Sequence, residues 1–240
     1  MRSLSSMAAA SAATFVIAAA MPQAQKAASS YIDVPSLTVF GCPNMSTVSY
    51  SKSIPDGGSF PTTEVGLCYD DDAGFLHINF TAYEEEYFFY DPDMGTNDGL
   101  YEYEVMEAFI YLGTEDPQTY LEFEVSPANV TWQAFVYNPS KVRATGAVFD
   151  HFFISDPFGD GFSAETVLDR AGHTWNSQVQ IPLGLFNIDK GEASGTDWRM
   201  NFFRIVESED TYPNQTYGAW SPVPEANFHM TPYLGRIHFD

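Results

Sequence analysis

Hydrophobic and polar residues alternate along several stretches of the chain with a period of two. The clearest stretches are residues 76–82, 121–125, 175–181 and 236–239, where apolar side chains occupy every second position or nearly so. Because successive side chains of a β-strand point to opposite faces, this period predicts half-buried strands. Asp-Pro, Asp-Gly and Asn-Pro pairs between the stretches predict turns. No stretch after the N-terminal segment combines a helical period with caps. The pattern therefore predicts an all-β fold, an antiparallel β-sandwich of jelly-roll type.

One strand is apolar on both faces except for a single carboxylate. Residues 100–113 read LYEYEVMEAFIYLG. If they form a strand, even-numbered positions from 106 to 112 share one face and odd-numbered positions from 105 to 111 share the other. Both faces are largely apolar, so this is a central strand, and Glu107 is its only acid between positions 105 and 112. A charge in that position predicts a ligand or a buried partner.

The N-terminal residues are typical of a secretory signal. Arg2 precedes an apolar, Ala-rich stretch over residues 7–20, and three alanines at 18–20 offer a small-residue cleavage site. At roughly 14 residues the stretch is too short to span a bilayer, and no later segment is long and apolar enough. We predict a signal peptide over residues 1–20, a flexible lead-in over 21–30 and one domain over 31–240. The mature protein is predicted to be secreted, without a membrane span.

Sequons and cysteines agree with export. Four Asn-x-Ser/Thr sequons predict glycosylation at Asn44, Asn79, Asn129 and Asn214. The two cysteines are Cys42 and Cys68. An oxidising compartment favours a disulfide between them, the alternative being two buried thiols.

Composition and charge exclude some partners. Hydrophobic residues make up 45% of the chain and aromatic residues 16%, so a large core can form. The formal net charge is −22, from 32 acidic and 10 basic residues, which leaves no basic patch for nucleic acid. Anionic membranes and anionic polysaccharides would also be repelled. The predicted partner is therefore neutral, and the predicted state is a monomer.

Catalytic and metal motifs give little direction. The chain contains neither a G-x-S-x-G elbow nor an H-E-x-x-H helix. With 32 acids a pair suited to glycoside hydrolysis can always be chosen, so the sequence adds no support for an enzyme and leaves catalysis open. Asp91, Asp93 and Asp98 lie in an oxygen-rich turn and are candidate ligands for one structural Ca²⁺. The alternative is ordinary turn chemistry, in which Asp side chains bond nearby backbone groups.

Aromatic residues indicate a binding function. The chain has 14 tyrosines and four tryptophans, and sugars stack on such rings while their hydroxyls bond to polar groups beside them. Trp132, Trp175 and Trp198 lie in alternating runs and are predicted to be core residues. Trp220 lies between residues that lack a strand period, with prolines following it, and is predicted to be a sugar platform in a loop.

Several segments, taken in order, resemble a known family. They are EVGLCYDDDAGFLHINFTAYEEE, LYEYEVMEAFI followed by YLEFEVSPANVTW, TWNSQVQIPL, and WRMNFFRI leading to AWSPV and NFHMTPYLGRIHF. Over residues 64–240 the chain resembles the family 9 carbohydrate-binding modules and their DOMON-like relatives. The resemblance implies a β-sandwich that holds a sugar between two aromatic rings.

The resemblance also implies roles for particular residues. The family has a tryptophan six residues before a glutamate, and the matching positions here are Tyr101 and Glu107. Tyr101 would form one wall, Glu107 would accept hydrogen bonds from sugar hydroxyls, and Trp220 is the candidate for the opposite wall. Tyrosine in place of tryptophan offers a smaller stacking surface. Calcium binding by many relatives also favours a metal site without assigning its ligands.

Arg204 offers a structural alternative for Glu107. Alternation places Arg204 on the apolar face that holds Met200 and Phe202, so it requires a carboxylate partner. Either Arg204 and Glu107 form a buried ion pair, or both contact sugar, or both statements hold. The sequence thus predicts a secreted, non-catalytic protein that binds a neutral glycan. The alternatives are a secreted glycoside hydrolase or accessory protein of polysaccharide breakdown, and a cell-surface or matrix domain that binds proteins.

Overall fold

A computed structural model describes residues 32–240 of the chain. The predicted signal peptide (1–20) and lead-in (21–30), and the first residue of the predicted domain, lie outside the described residues. Within residues 32–240, no helix is long and apolar enough to cross a membrane.

Thirteen strands make up most of the described chain. They are β1 (Ser36–Val39), β2 (Ser46–Ile54), β3 (Ser59–Asp70), β4 (Phe75–Ala82), β5 (Val105–Leu112), β6 (Thr119–Val125), β7 (Thr131–Tyr137), β8 (Asp150–Phe153), β9 (Ser163–Asp169), β10 (Thr174–Pro182), β11 (Asp197–Val206), β12 (Thr216–Ala219) and β13 (Gly235–Phe239). Three short 3₁₀ turns at Leu100–Glu102, Leu183–Phe186 and Thr231–Tyr233 are the only helical segments within residues 32–240. Each alternating stretch predicted from the sequence falls within a strand.

The strands form one curled sheet. Neighbouring strands follow the order β8-β7-β6-β5-β11-β12-β2-β3-β4-β10-β9, and β13 joins β11 to β1. All pairs are antiparallel except β1 with β13. We call the part from β8 to β11 the first layer, and the part from β2 to β9 the second layer.

The two layers pack face to face around the main core. Met106, Ala108 and Phe202 of the first layer belong to the same buried cluster as Leu67 and Phe80 of the second. Trp175 and Trp198 are fully buried in this cluster, as predicted. The antiparallel β-sandwich predicted from the period of two is confirmed.

A second apolar cluster lies on the outer face of the first layer. Phe109, Trp132 and Phe203 point to this face and pack with Phe228 and Leu234 of the segment that follows β12. Because that segment covers the strands, side chains that would otherwise face water are buried there. This covered outer face positions the candidate site.

Buried polar side chains of β11 hold the covering segment in place. Arg199 donates through Nε to the carbonyl of Leu234 at 2.9 Å, and Asn201 donates to the carbonyl of Ser221 at 2.8 Å. Arg199 also pairs with Asp116 at 2.7 Å. Fixed carbonyl acceptors give the segment one defined position over the sheet.

The disulfide between Cys42 and Cys68 is present, with their Cα atoms 5.1 Å apart, which confirms the predicted pairing. It joins the residues before β2 to β3. The sequon residues Asn44, Asn129 and Asn214 are exposed. Asn79 is half-buried and accepts a hydrogen bond from the Asn176 side chain at 2.7 Å. Glycosylation at these four residues stays a prediction.

Candidate functional site

Three glutamates line the bottom of a cleft on the outer face of the first layer. Glu107 of β5 lies directly opposite Glu124 of β6, and Glu122 lies two residues from Glu124 on the same face. Directly opposite side chains in a sheet have Cβ atoms about 5 Å apart, so these carboxyl groups are close neighbours. Their exposed fractions are 2%, 1% and 6% for Glu107, Glu124 and Glu122. We call these three residues the floor glutamates.

Aromatic side chains surround the floor glutamates. Trp132 of β7 lies directly opposite Glu124 and contacts Phe153 of β8, with ring centroids 5.4 Å apart. On the covering segment, Phe228 stacks on Phe203 at 4.2 Å. Together with the floor glutamates, the rings of Trp132, Phe153 and Phe228 line a cleft of about 630 Å³. That volume lies within the range of small-molecule sites in proteins.

Burial raises the pKa of all three floor glutamates. It raises the pKa of Glu122 to about 8, against an opposing effect of the Arg143 charge. It also raises the pKa of Glu107, with a further contribution from Glu122, and the pKa of Glu124, with contributions from both neighbours. With its pKa at about 8, Glu122 keeps its proton at neutral pH, and carboxyl groups so close together disfavour one another's ionisation.

His229 of the covering segment is uncharged in this cleft. Burial, followed by the Arg143 charge, lowers the pKa of His229 to about 3. Its Nδ1 lies 2.7 Å from the Tyr120 hydroxyl and 4.0 Å from Glu122 Oε2. The contact with Glu122 is therefore not an ion pair at neutral pH.

Tyr101 and Glu107 line the same cleft. Glu107 lies at the bottom, whereas Tyr101 lies at the rim in the Leu100–Glu102 turn with 54% of its surface exposed. Gln215 donates to the Tyr101 carbonyl at 2.8 Å, which ties this turn to the residues before β12.

The structure does not place Trp220 opposite Tyr101. Trp220 follows β12, packs against the main core with its ring 5.8 Å from Phe202, and lines a separate, smaller pocket beside Tyr50. Gly235 leaves room for the indole, because a Cβ at that position would lie 2.3 Å from the Trp220 ring. The prediction that Trp220 and Tyr101 are two walls of one cleft is therefore wrong. Within residues 32–240, the indole that lines the Glu107 cleft is that of Trp132.

Arg204 pairs with Glu85 and not with Glu107. Arg204 Nη2 donates to Glu85 Oε2 at 2.7 Å, and neither side chain is exposed. Residue 204 of β11 points into the sandwich, whereas residue 203 lies opposite Glu107 on the outer face. The predicted Glu107–Arg204 pair is excluded because the two side chains lie on opposite faces of one layer. The same geometry removes Arg204 from the candidate sugar site.

Two of the predicted calcium ligands, Asp91 and Asp98, accept hydrogen bonds from backbone groups of their own turn. Asp91 accepts a hydrogen bond from the Asp93 backbone at 2.9 Å, and Asp98 accepts one from the Gly95 backbone at 2.7 Å. Within residues 32–240, no three acidic, histidine or cysteine residues form a group that could hold a metal ion. The alternative of ordinary turn chemistry describes these aspartates.

Sequence reasoning missed Glu122, Glu124, Trp132, Arg143 and His229. The alternation in β6 was visible, but it was consistent with glutamates facing water. The signal that could have found them is the adjacency of the strand containing Glu107 to the strand reading YLEFEV, because a hairpin pairs their carboxylates. Trp132 was correctly predicted to be buried, but its place beside Glu124 depends on the register of β6 and β7.

Comparison with other proteins gives one relative of high identity. No family model matches the sequence. Over 198 residues the chain is 51% identical to an extracellular protein of Arthroderma benhamiae, covering 82% of this chain and 87% of that protein. An extracellular relative of this identity confirms the prediction that the protein is secreted.

Two solved structures share the fold. A candidate carbohydrate-binding protein from Bacteroides uniformis superposes with a TM-score of 0.61 and 15% identity, covering 87% of this chain and all of that one. A family 9 carbohydrate-binding module from Caldicellulosiruptor kristjanssonii, solved with glucose, superposes with a TM-score of 0.54 and 14% identity, covering 85% and 95% of the two chains. At these identities the likeness shows a common β-sandwich fold.

Proposed function

We propose that this protein is a secreted carbohydrate-binding protein whose Glu107 cleft holds a glycan. The chain belongs to the family of the extracellular protein of Arthroderma benhamiae, which supports secretion. The observation that carries the proposal is the cleft itself. Buried carboxyl groups and aromatic rings line the same space of about 630 Å³. Rings stack on the C–H faces of a sugar, and carboxyl groups bond to its hydroxyls.

The positions of Tyr101, Glu107 and Trp132 agree with this role. Trp132 is a rigid wall beside Glu124, Glu107 lies at the bottom, and Tyr101 at the rim is free to stack on a sugar that projects from the cleft. The fold likeness to a module solved with glucose supports a glycan as the ligand, although a shared fold alone does not establish function.

The charge of the protein restricts the class of glycan. With a formal net charge of −22, the protein repels anionic polysaccharides over distances comparable to the Debye length. The proposed ligand is therefore a glycan without negative charge.

Binding without catalysis agrees best with the protonation of the cleft. A glycosidase divides its work between one protonated and one ionised carboxyl group. Burial is the first cause of a raised pKa for Glu107, Glu122 and Glu124, and none of the three has the lowered pKa that would mark an ionised partner.

A glycan array tests the proposal, with wild-type protein, Glu107→Gln and the exposed control Glu165→Gln. Each protein is applied once with calcium and once with a chelator, and reducing-sugar release is measured on each retained glycan. We expect wild type and the control to retain the same glycans without releasing sugar, and Glu107→Gln to lose them. No retention under either condition contradicts the proposal, and sugar release by wild type that Glu107→Gln abolishes replaces it with hydrolysis.

A further inference from the structure

The side chains that line the Glu107 cleft carry an excess of acidic groups. Four of them are carboxyl groups, those of the floor glutamates and of Asp150 on β8. Among the described residues that line the cleft, Arg143 is the only lysine or arginine. A ligand therefore enters a site that is lined by four carboxyl groups and a single arginine.

Neither Arg143 nor His229 neutralises the floor glutamates. Arg143 is exposed at the rim and lies over the Phe149 ring, 4.3 Å from its centroid. Within residues 32–240, no ion pair joins Arg143 to Glu107, Glu122 or Glu124. His229 lies closer to Glu122, but its pKa is lowered to about 3 and it carries no charge at neutral pH.

One carboxylate oxygen at the bottom of the cleft has no partner. Glu124 Oε2 is buried without a hydrogen bond from any described residue, although 1% of the residue is exposed and it lines the cleft. An unpaired buried acceptor costs stability, and a ligand donor that reached the bottom of the cleft would remove that cost. Trp132, directly opposite Glu124, supplies an aromatic face beside the same position.

We infer that the cleft selects a sugar bearing a protonated amine, the chemical class of the 2-amino-2-deoxy sugars, and this inference rests on the proposed function. An ammonium group donates up to three hydrogen bonds, and its positive charge lowers the pKa of an adjacent carboxyl group, so that a floor glutamate ionises when the amine binds. Aromatic faces such as Trp132 attract a cation as well as a sugar ring. A hydroxyl donates one hydrogen bond and brings no charge that would stabilise a carboxylate, so a neutral sugar gains less from the floor glutamates.

Three β-1,4-linked tetramers that differ only at carbon 2 test the inference. Glucosamine, N-acetylglucosamine and glucose tetramers are titrated calorimetrically into the full-length mature protein at about pH 6, where an aliphatic amine near an electron-withdrawing group is protonated. The buffer contains a chelator. For wild type we expect the glucosamine tetramer to bind at least about tenfold more tightly than the other two, the effect of one hydrogen bond between charged groups.

Two variants separate the cleft from the overall charge. Glu124→Gln removes the unpaired buried carboxyl group, whereas Glu165→Gln removes an exposed one on β9 and changes the formal net charge by the same amount. We expect Glu124→Gln to lose the preference for the amine and Glu165→Gln to retain it. Equal losses in the two variants show attraction by net charge and overturn the inference, as does a preference that survives Glu124→Gln.

The outcomes also separate the inference from the proposed function. Binding of the glucose or N-acetylglucosamine tetramer as tightly as the glucosamine tetramer overturns the amine preference and leaves the protein a glycan-binding protein. Absence of binding by all three tetramers, together with an empty glycan array, overturns both.

Discussion

Glu107 of β5 and Glu124 of β6 lie side by side in directly opposite positions of the sheet, and both are buried on a face that a later segment covers. Like charges at directly opposite positions destabilise a sheet, and burial adds to the cost of ionising either one. The pair is maintained at the bottom of a cleft, next to Trp132, where a ligand can reach it. The arrangement disfavours the unliganded, ionised protein and favours a bound ligand that donates hydrogen bonds.

Stability should fall as pH rises, and Glu122 should account for part of the fall. Burial raises the pKa of Glu122 from 4.5 to about 8, so between these values the folded protein binds a proton that the unfolded chain has lost. Its contribution is fully present below the unfolded value and is lost as pH rises through about 8, with a slope of up to about 1.4 kcal/mol per pH unit. Denaturant unfolding from about pH 5 to about pH 9 measures this slope.

Glu122→Gln should flatten that dependence because an amide does not titrate. Glu165→Gln, which removes an exposed carboxyl group on β9, should unfold with the wild-type slope. If Glu122→Gln and wild type lose stability in parallel across the whole range, Glu122 is not the buried titrating group described here.

Replacing Trp132 by alanine should lower glycan affinity, whereas replacing Trp220 should lower stability. Trp132→Ala removes the indole beside Glu124, so glycan affinity should fall by at least about tenfold, as when a stacked aromatic face is lost. Trp220→Ala removes an indole packed on Phe202 and Gly235, so it should lower stability by about 3 kcal/mol and leave affinity unchanged in the folded fraction. Calorimetric titration and denaturant unfolding of both variants measure the two effects. If Trp220→Ala lost glycan affinity and Trp132→Ala retained it, the binding site would lie at Trp220.

Substitution of Glu85 should lower stability, whereas substitution of Glu107 should abolish glycan binding. Glu85→Gln leaves the fully buried Arg204 guanidinium without its ionic partner, which should cost about 3 to 5 kcal/mol. Glu107→Gln removes a buried acid that has no ion pair within residues 32–240, so stability should stay equal or rise while glycan binding is lost. The melting temperature of each variant measures its stability, and a glycan array measures its binding. A large fall in melting temperature for Glu107→Gln would show that Glu107 has a structural partner.

The Cys42–Cys68 disulfide should stabilise the fold without contributing to binding. It closes a loop with a sequence separation of 26 residues between the two cysteines, for which loop closure predicts about 3 kcal/mol. The double variant Cys42→Ser, Cys68→Ser should therefore unfold at lower denaturant concentration and bind glycans with wild-type affinity when folded. Equal unfolding midpoints for the variant and wild type would contradict this prediction.

Local pattern was enough to predict several of the strands and to favour the disulfide. Alternation in residues 76–82 and 175–181 identifies β4 and β10 because the period of two follows from backbone geometry alone. The same rule placed Glu107 and Phe109 on one face of β5, which the register with β6 bears out. The cysteine pairing followed from the compartment that the N-terminal residues indicated.

The site required information that alternation does not contain. A polar residue at every second position of β6 has the same pattern whether it faces water or a covered cleft, so the burial of Glu122 and Glu124 was not predictable. The partner of Arg204 was misjudged because Glu85 is distant in sequence and follows β4, next to the end of β11 only in the folded chain.

The sequence by itself determined an exported β-sandwich with an acid on a central strand, because strand period and charge pattern are local properties of neighbouring residues. Only the tertiary structure decided which residues share the cleft. The register of β5, β6 and β7 brings Glu107, Glu124 and Trp132 side by side, and the covering segment with Phe228 buries them. Contacts of this kind depend on how strands distant in sequence pair and on what packs over them, and no local pattern contains that information.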